Sequence, residues 1–174
     1  VVEGIRNAVA QAKEAVQPSR LRLGETRTSG LAQNRRVAYN AEAWRRLPPE
    51  ARDRQGFLDE TLRAAVVEST AGARLGVIVN FALHPVTMQT EPFISADYPG
   101  VAMQRIESGG GAALFTNAAC GDVNPLRMGS WDAVEWNGRS VAEAAEAAAA
   151  ASVAVDAPTI LRAVARRVVV PRRT

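Results

Sequence analysis

The chain holds one cysteine, one histidine and one lysine in 174 residues. Each scarcity removes a class of explanation. A lone cysteine, Cys120, excludes an internal disulfide framework and any zinc cluster built on cysteines. It reads as a small buried residue, with no second cysteine or histidine beside it in the sequence to activate the thiol. No apolar run approaches the ~20 residues needed to span a bilayer, and the first residues lack the basic, apolar, small-residue order of a signal peptide. A soluble chain without a transmembrane segment is expected. Lys13 is the only lysine, so the formal charge of +3 is carried by arginine. Those arginines are scattered among Asp and Glu rather than gathered in a stripe with aromatic stacking platforms, which points away from nucleic acid.

What the sequence does hold is enough apolar matter for a core, at 47% of residues. The opening "VVEGIRNAVAQAKEAV" has helical period from its first letters, with Val1, Val2, Ile5, Val9 and Val16 as the apolar positions and no capping residue ahead of them. Residues 1–174 therefore read as a single domain, incomplete at both ends. "RLRLGETRTSG" alternates briefly and reads as a short strand before Gly30. Residues 32–56 are polar, arginine-rich and broken by Pro48 and Pro49, which predicts a long surface excursion with a helical turn near Glu42 to Leu47.

"ETLRAAVVEST" and "ARLGVIVNFAL" predict a hairpin across "AGA", the second strand buried inside a sheet because it is almost continuously apolar. That strand ends at "HPVTM", since Pro85 cannot donate to a ladder. "ISADYPGVAMQRIES" predicts a helix with Ser95 and Asp97 as caps and Pro99 near its start. The three glycines at 109–111 end that helix and are not a phosphate loop, because they do not open a helix and no Lys-Ser/Thr follows. "AALFTNAACGDVNP" predicts a short strand running into a turn. "SWDAVEWNGRSVAEAAEAAAAASVAV" predicts an alanine-rich helix that restarts after Gly138, and "TILRAVARRVVVP" a closing strand. This order argues for an α/β fold, a mixed β-sheet with flanking helices.

Two strand-to-loop transitions, "ALHPVTM" and "NAACGDVNP", are where polar groups gather in α/β folds. Two readings fit His84. It is a satisfied histidine capping a strand end, or it is a metal ligand whose partners come from elsewhere, since a catalytic zinc takes about three protein ligands and one histidine cannot supply them. Asp122 and Asn124 likewise read either as turn residues before Pro125 or as pocket residues.

The ordered set "VIVNFALHPVTM", "ISADYPGVA" and "ALFTNAACGDVNP", preceded by "NRRVAY", resembles the N-terminal catalytic domain of the neutral/alkaline non-lysosomal ceramidase family over roughly residues 1 to 130. The resemblance implies a zinc-dependent amidohydrolase that splits an N-acyl bond, in ceramide or a related lipid or small molecule, within a larger catalytic domain. By motif it makes His84 a ligand to Zn2+ and Arg35 a residue facing the substrate. It implies other ligands on an earlier His-x-His segment and on a later glutamate and tyrosine, to be supplied by further parts of the same polypeptide. It also implies export to the periplasm or the exterior. In this scheme the metal lowers the pKa of bound water to about 7. Arg35 would stabilise the oxyanion, while Asp122 and Asn124 shape the pocket. Asn124 departs from the family's Gly-Asp-Val-Ser-Pro pattern, and an amide cannot act as a hydroxyl nucleophile. A non-catalytic scaffold that binds a ligand or partner is the second reading. A third, an unrelated α/β domain, requires Arg35, His84 and Asp122 to lie far apart.

Overall fold

The computed structural model describes residues 1–89, 92–156 and 162–169. In chain order its elements are α1 (Val2–Glu14), β1 (Ser19–Arg27), β2 (Ala32–Asn34), α2 (Arg35–Tyr39), α3 (Ala41–Arg45), α4 (Pro49–Gln55), β3 (Thr61–Ser69), β4 (Arg74–Phe81), α5 (Asp97–Ser108), β5 (Ala112–Asn117), β6 (Val123–Pro125), α6 (Trp131–Ala150) and β7 (Val153–Ala154). Among the described residues, one sheet has the strand order β5-β4-β3-β1-β7 and a two-stranded ribbon joins β2 to β6. β4 and β5 run parallel, with α5 as the crossover between them. Every other pairing in the large sheet is antiparallel, so the sheet is mixed. The expected hairpin is β3 and β4, its turn closed by the amide of Ser69 donating to the Ala73 carbonyl at 2.8 Å.

Helices α5 and α6 cover one face of this sheet. Leu62, Val66, Val77, Val79 and Phe81 point down from the strands and meet Tyr98, Ala102, Ile106, Val141 and Ala145 from the helices, all buried. Small residues let α6 lie close: Gly24 on β1 packs against the Ala148 carbonyl of α6, and Gly138 is where α6 meets α5. A Cβ there would stand 2.5 Å from Val101 Cβ on α5. The predicted restart after Gly138 is therefore corrected: α6 is continuous from Trp131 to Ala150, and the glycine serves helix contact rather than helix breakage. The glycines after α5 do end it, Gly110 and Gly111 taking φ of 98° and 80°.

The opposite face is open. Register sets Leu23, Ala65, Ile78 and Leu114 side by side across four strands; of these, Leu23, Ile78 and Leu114 are exposed. The expectation that "ARLGVIVNFAL" lies inside a sheet is met, since β4 sits between β3 and β5, but its burial is one-sided: only alternate residues are buried. This one-sidedness predicts unequal substitutions. Ile78→Lys should change stability within about 0.5 kcal/mol. Val79→Lys, one residue along at 1% exposure, should abolish cooperative thermal unfolding by burying an unpaired charge. Equal melting curves for the two variants would contradict the layering.

Two other expectations are revised. Residues 32–56, where the helical turn expected near Glu42 forms as α3, also hold a short strand and two further short helices, and Asn34 within them is buried. The opening helix forms as expected, as α1, and buries none of its residues. The closing strand expected over "TILRAVARRVVVP" is not formed across 162–169, and the rest of that stretch lies outside the described residues. Among the described residues no helix is long and apolar enough to cross a membrane.

Candidate functional site

At the C-terminal end of β4 the chain leaves the sheet through the buried pair Ala82 and Leu83, and His84 emerges half-buried. The β5 side keeps pace, with the Ala118 amide donating to the Phe81 carbonyl at 3.0 Å. The His84 amide then donates to Val123 O at 3.0 Å, which stitches "LHP" to "GDVNP". Ribbon pairing does the rest. β6 lies antiparallel to β2 with Gln33 opposite Asn124 and Asn34 opposite Val123, and the Arg35 amide donates to Asp122 O at 2.8 Å. Segments around residues 34, 84 and 122 thus meet at one end of the sheet. The reading that required them to lie far apart is set aside.

Side chains reinforce the junction. Asn34 caps α2, its Oδ1 accepting from the Arg36 amide at 3.0 Å, while its Nδ2 donates to Asp122 Oδ2 at 3.2 Å. Arg36 Nε approaches the same Asp122 oxygen at 3.4 Å. Asp122 is therefore committed to holding α2 against the turn. Arg35 is exposed, and among the described residues its guanidinium makes no ion pair. Asn124 is only 3% exposed, and its Nδ2 donates to the Tyr39 hydroxyl at 3.3 Å. Because that phenol oxygen accepts from Asn124, its proton stays available to another group. Cys120 is buried, as expected, with Asn117 Nδ2 at 3.4 Å from its sulfur.

The loop after His84 is held from the helices. Asp97 accepts from the Met88 amide at 3.2 Å through Oδ2 and from the Tyr98 amide at 2.6 Å through Oδ1. Ser95 Oγ accepts from the Asp97 amide at 2.9 Å. The expectation that Ser95 and Asp97 cap α5 is corrected: Ala96 is the N-cap, without a side-chain cap bond, and Asp97 is the first residue of the helix, in the left-handed region at φ 53°, where it ties the helix to "HPVTM". Asn137 donates to Thr87 Oγ1 at 3.2 Å and to the Arg127 carbonyl at 3.0 Å. Tyr98 donates its hydroxyl to Leu83 O at 2.6 Å. Burial raises the pKa of this phenol well above its ordinary value, with the charges of Asp97 and Cys120 adding to the effect, so it remains a donor at every working pH.

A cleft of about 190 Å3 lies beside this loop, lined by Pro85, Met88, Gln89, Ser95, Asp97 and Trp131 among others. A larger one of about 430 Å3 sits on the open sheet face around Leu23, Ala65 and Ile78. Its position follows from the uncovered strands, and Arg35, His84, Asp122 and Asn124 do not line it.

The zinc assignment does not survive this geometry. Among the described residues no three His, Cys, Asp or Glu side chains come together as a metal site. His84 has no second histidine anywhere in the chain, and Asp122 is already engaged by Asn34 and Arg36. A zinc site takes three or four convergent ligands. His84 as a Zn2+ ligand, zinc-dependent amide hydrolysis and a zinc enzyme are all corrected on this ground: the described residues do not build that centre. Conversely, Asn34, Arg36, Tyr39, Tyr98 and Asn117 carry much of the junction and were missed in the sequence. An Asn immediately before a short helix was the available signal for Asn34.

The fold and junction define an α/β domain that gathers polar groups at the ends of parallel strands. Residues 1–135 match the family model described as neutral/alkaline non-lysosomal ceramidase, N-terminal, and the chain belongs to that family. Among solved structures it is similar to neutral ceramidase from Pseudomonas aeruginosa, at 22% identity and a TM-score of 0.70, over 86% of this chain and 25% of that one. It is also similar to a ceramidase complexed with C2, at 21% identity and a TM-score of 0.71, again over 86% of this chain and 25% of the other. The chain thus spans a quarter of the length of these solved relatives. No match was found among curated proteins.

Proposed function

We propose that this chain forms one wall of a ceramidase-like hydrolytic site acting on the N-acyl amide of a lipid, with the rest of the site contributed by further parts of the same polypeptide. Family membership supports the reaction class. The observation that carries the reading is the convergence of "NRRV", "LHP" and "GDVNP" on one junction through the Arg35–Asp122 and His84–Val123 backbone hydrogen bonds. Arg35, permanently charged and exposed, is the group to meet a carbonyl oxygen as negative charge develops on it. Asp122 orients the arginine-bearing helix. Asn124 holds the Tyr39 hydroxyl and cannot itself be acylated, so water is the nucleophile on this reading. Export of the protein, implied by the resemblance, belongs to the same proposal.

The buried amide at position 124 favours one rival, a scaffold that binds the lipid without turning it over. Both are tested by incubating the protein with N-acylsphingosine in mixed micelles and following released fatty acid, beside Arg35→Ala. The hydrolase reading expects turnover that falls ~100-fold in the variant, with an unchanged melting temperature because the side chain is exposed. Saturable lipid binding without turnover gives the scaffold. Neither binding nor turnover would overturn both.

A further inference from the structure

His84 is held with unusual completeness for a loop residue. Its amide donates to Val123 O at 3.0 Å, and its own carbonyl accepts from the Val86 amide at 2.9 Å. Pro85 follows, which confines the residue before it to extended backbone. The remaining polar atom beside it, the carbonyl of Leu83, lies past the end of β4 in a residue with 0% exposure. A buried carbonyl needs donors, and this one takes two from side chains: the Tyr98 hydroxyl at 2.6 Å and Asn117 Nδ2 at 3.0 Å.

We propose that Tyr98 and Asn117 are positioning residues for His84, fixing the Leu83–His84 peptide plane so that the imidazole leaves the sheet in a single direction. The two donors come from opposite sides of the crossover. Tyr98 sits in the first turn of α5 and Asn117 is the last residue of β5. Tyr98 is itself fixed, fully buried and edge-on to Phe115 at 5.6 Å between ring centroids. Its neighbour Asp97 grips the Met88 amide on the far side of the same turn. The α5 start therefore holds "LHPVTM" at both ends, and the histidine projects between the two grips. The inference rests on the hydrolase reading for its purpose, since a pocket needs its imidazole in one place. Its geometry and its test do not depend on turnover.

The chain's single histidine makes the experiment clean, because every imidazole signal belongs to His84. The isotopically labelled protein, held at one fixed pH, should show one sharp set of ring resonances. Tyr98→Phe removes only the hydroxyl. It should shift the Leu83 carbonyl carbon toward its unbonded value and broaden or split the His84 ring signals. Asn117→Ala should act in the same direction, and it remains informative if Tyr98→Phe does not fold. Val66→Ala is the control: Val66 is buried in the same core but sits opposite Val77, well down β4 from Leu83, so the variant lowers thermal stability and should leave the Leu83 and His84 signals in place. Unmoved signals in both donor variants would overturn the proposal, as would equal movement in the control. Shifted signals in a protein without turnover would retain the positioning role and remove the hydrolase reading. Turnover with unmoved signals would do the reverse.

Discussion

Gly138→Leu is expected to cost this domain about 1–3 kcal/mol of stability, although the same change would favour an isolated helix. Mid-helix glycine is about 1 kcal/mol worse than alanine and leucine by propensity, so the local expectation is a gain. Packing reverses the sign. The first carbon added at position 138 would stand 2.5 Å from Val101 Cβ, 2.6 Å from Val101 Cγ1 and 2.9 Å from Tyr98 O. All three atoms belong to α5, the helix that carries Tyr98 and Asp97 to the site. Leucine must push α5 away from α6 or twist both out of register, and overpacking of this kind costs about 1–3 kcal/mol, at times more. For a chain of this size each 1 kcal/mol lowers the melting temperature by about 2–4 °C, so scanning calorimetry should show a drop of roughly 5–10 °C or an absent transition. Pairing Gly138→Ala with Val101→Gly, which removes both the Cβ and the Cγ1 that an added carbon would meet, isolates the cause. The double variant should lose less than the sum of the two single losses, a coupling expected only of residues in contact. Additive losses would place the defect elsewhere.

The contrast between propensity and packing also marks what could be read from the sequence. The hairpin of β3 and β4, the strand that ends at His84-Pro85, and the helix and strand that follow were legible, because apolar pattern and proline act locally. The α/β class followed from their order. Gly138 was not legible, since a glycine that breaks a helix and one that admits a neighbouring helix look alike until the neighbour is placed. Nor was the one-sided sheet: β4 is apolar on both faces, yet α5 and α6 cover only one. In the arginine-rich stretch, polarity concealed a ribbon strand whose role is to pair with β6 and deliver Arg35 to Asp122. The candidate residues Arg35, His84, Asp122 and Asn124 could be named from motifs. Their partners Arg36, Tyr39 and Asn117 could not, because each is defined by a contact. The zinc expectation failed for the same reason. A motif transfers the identity of one ligand, whereas a metal site is a set of ligands converging in space.

Asp122→Ala should release α2 from the turn it is tied to and, with it, whatever the junction does. Asp122 Oδ2 receives Asn34 Nδ2 at 3.2 Å and faces Arg36 Nε at 3.4 Å. The two contacts differ in weight. Arg36 is 67% exposed, and solvent screens an ion pair of that kind to near or below 1 kcal/mol. Asn34 is 5% exposed, so its amide loses an acceptor where water does not readily replace it, at about 1–3 kcal/mol. The Phe57 carbonyl, 3.4 Å from the same nitrogen, offsets part of that. Stability should therefore fall by roughly 1–2 kcal/mol in Asp122→Ala and much less in Asp122→Asn, whose amide oxygen still accepts from Asn34. Function should divide differently. Asp122→Ala uncouples the helix bearing both Arg35 and Tyr39, so lipid binding or turnover should drop at least ~10-fold, misplacement by about an ångström being enough for larger losses. Asp122→Asn keeps the tie to Asn34 and should retain most of that activity. Equal loss in both variants would mean that the carboxylate acts through its charge, on Arg36 or on the substrate, and that its hold on Asn34 is incidental.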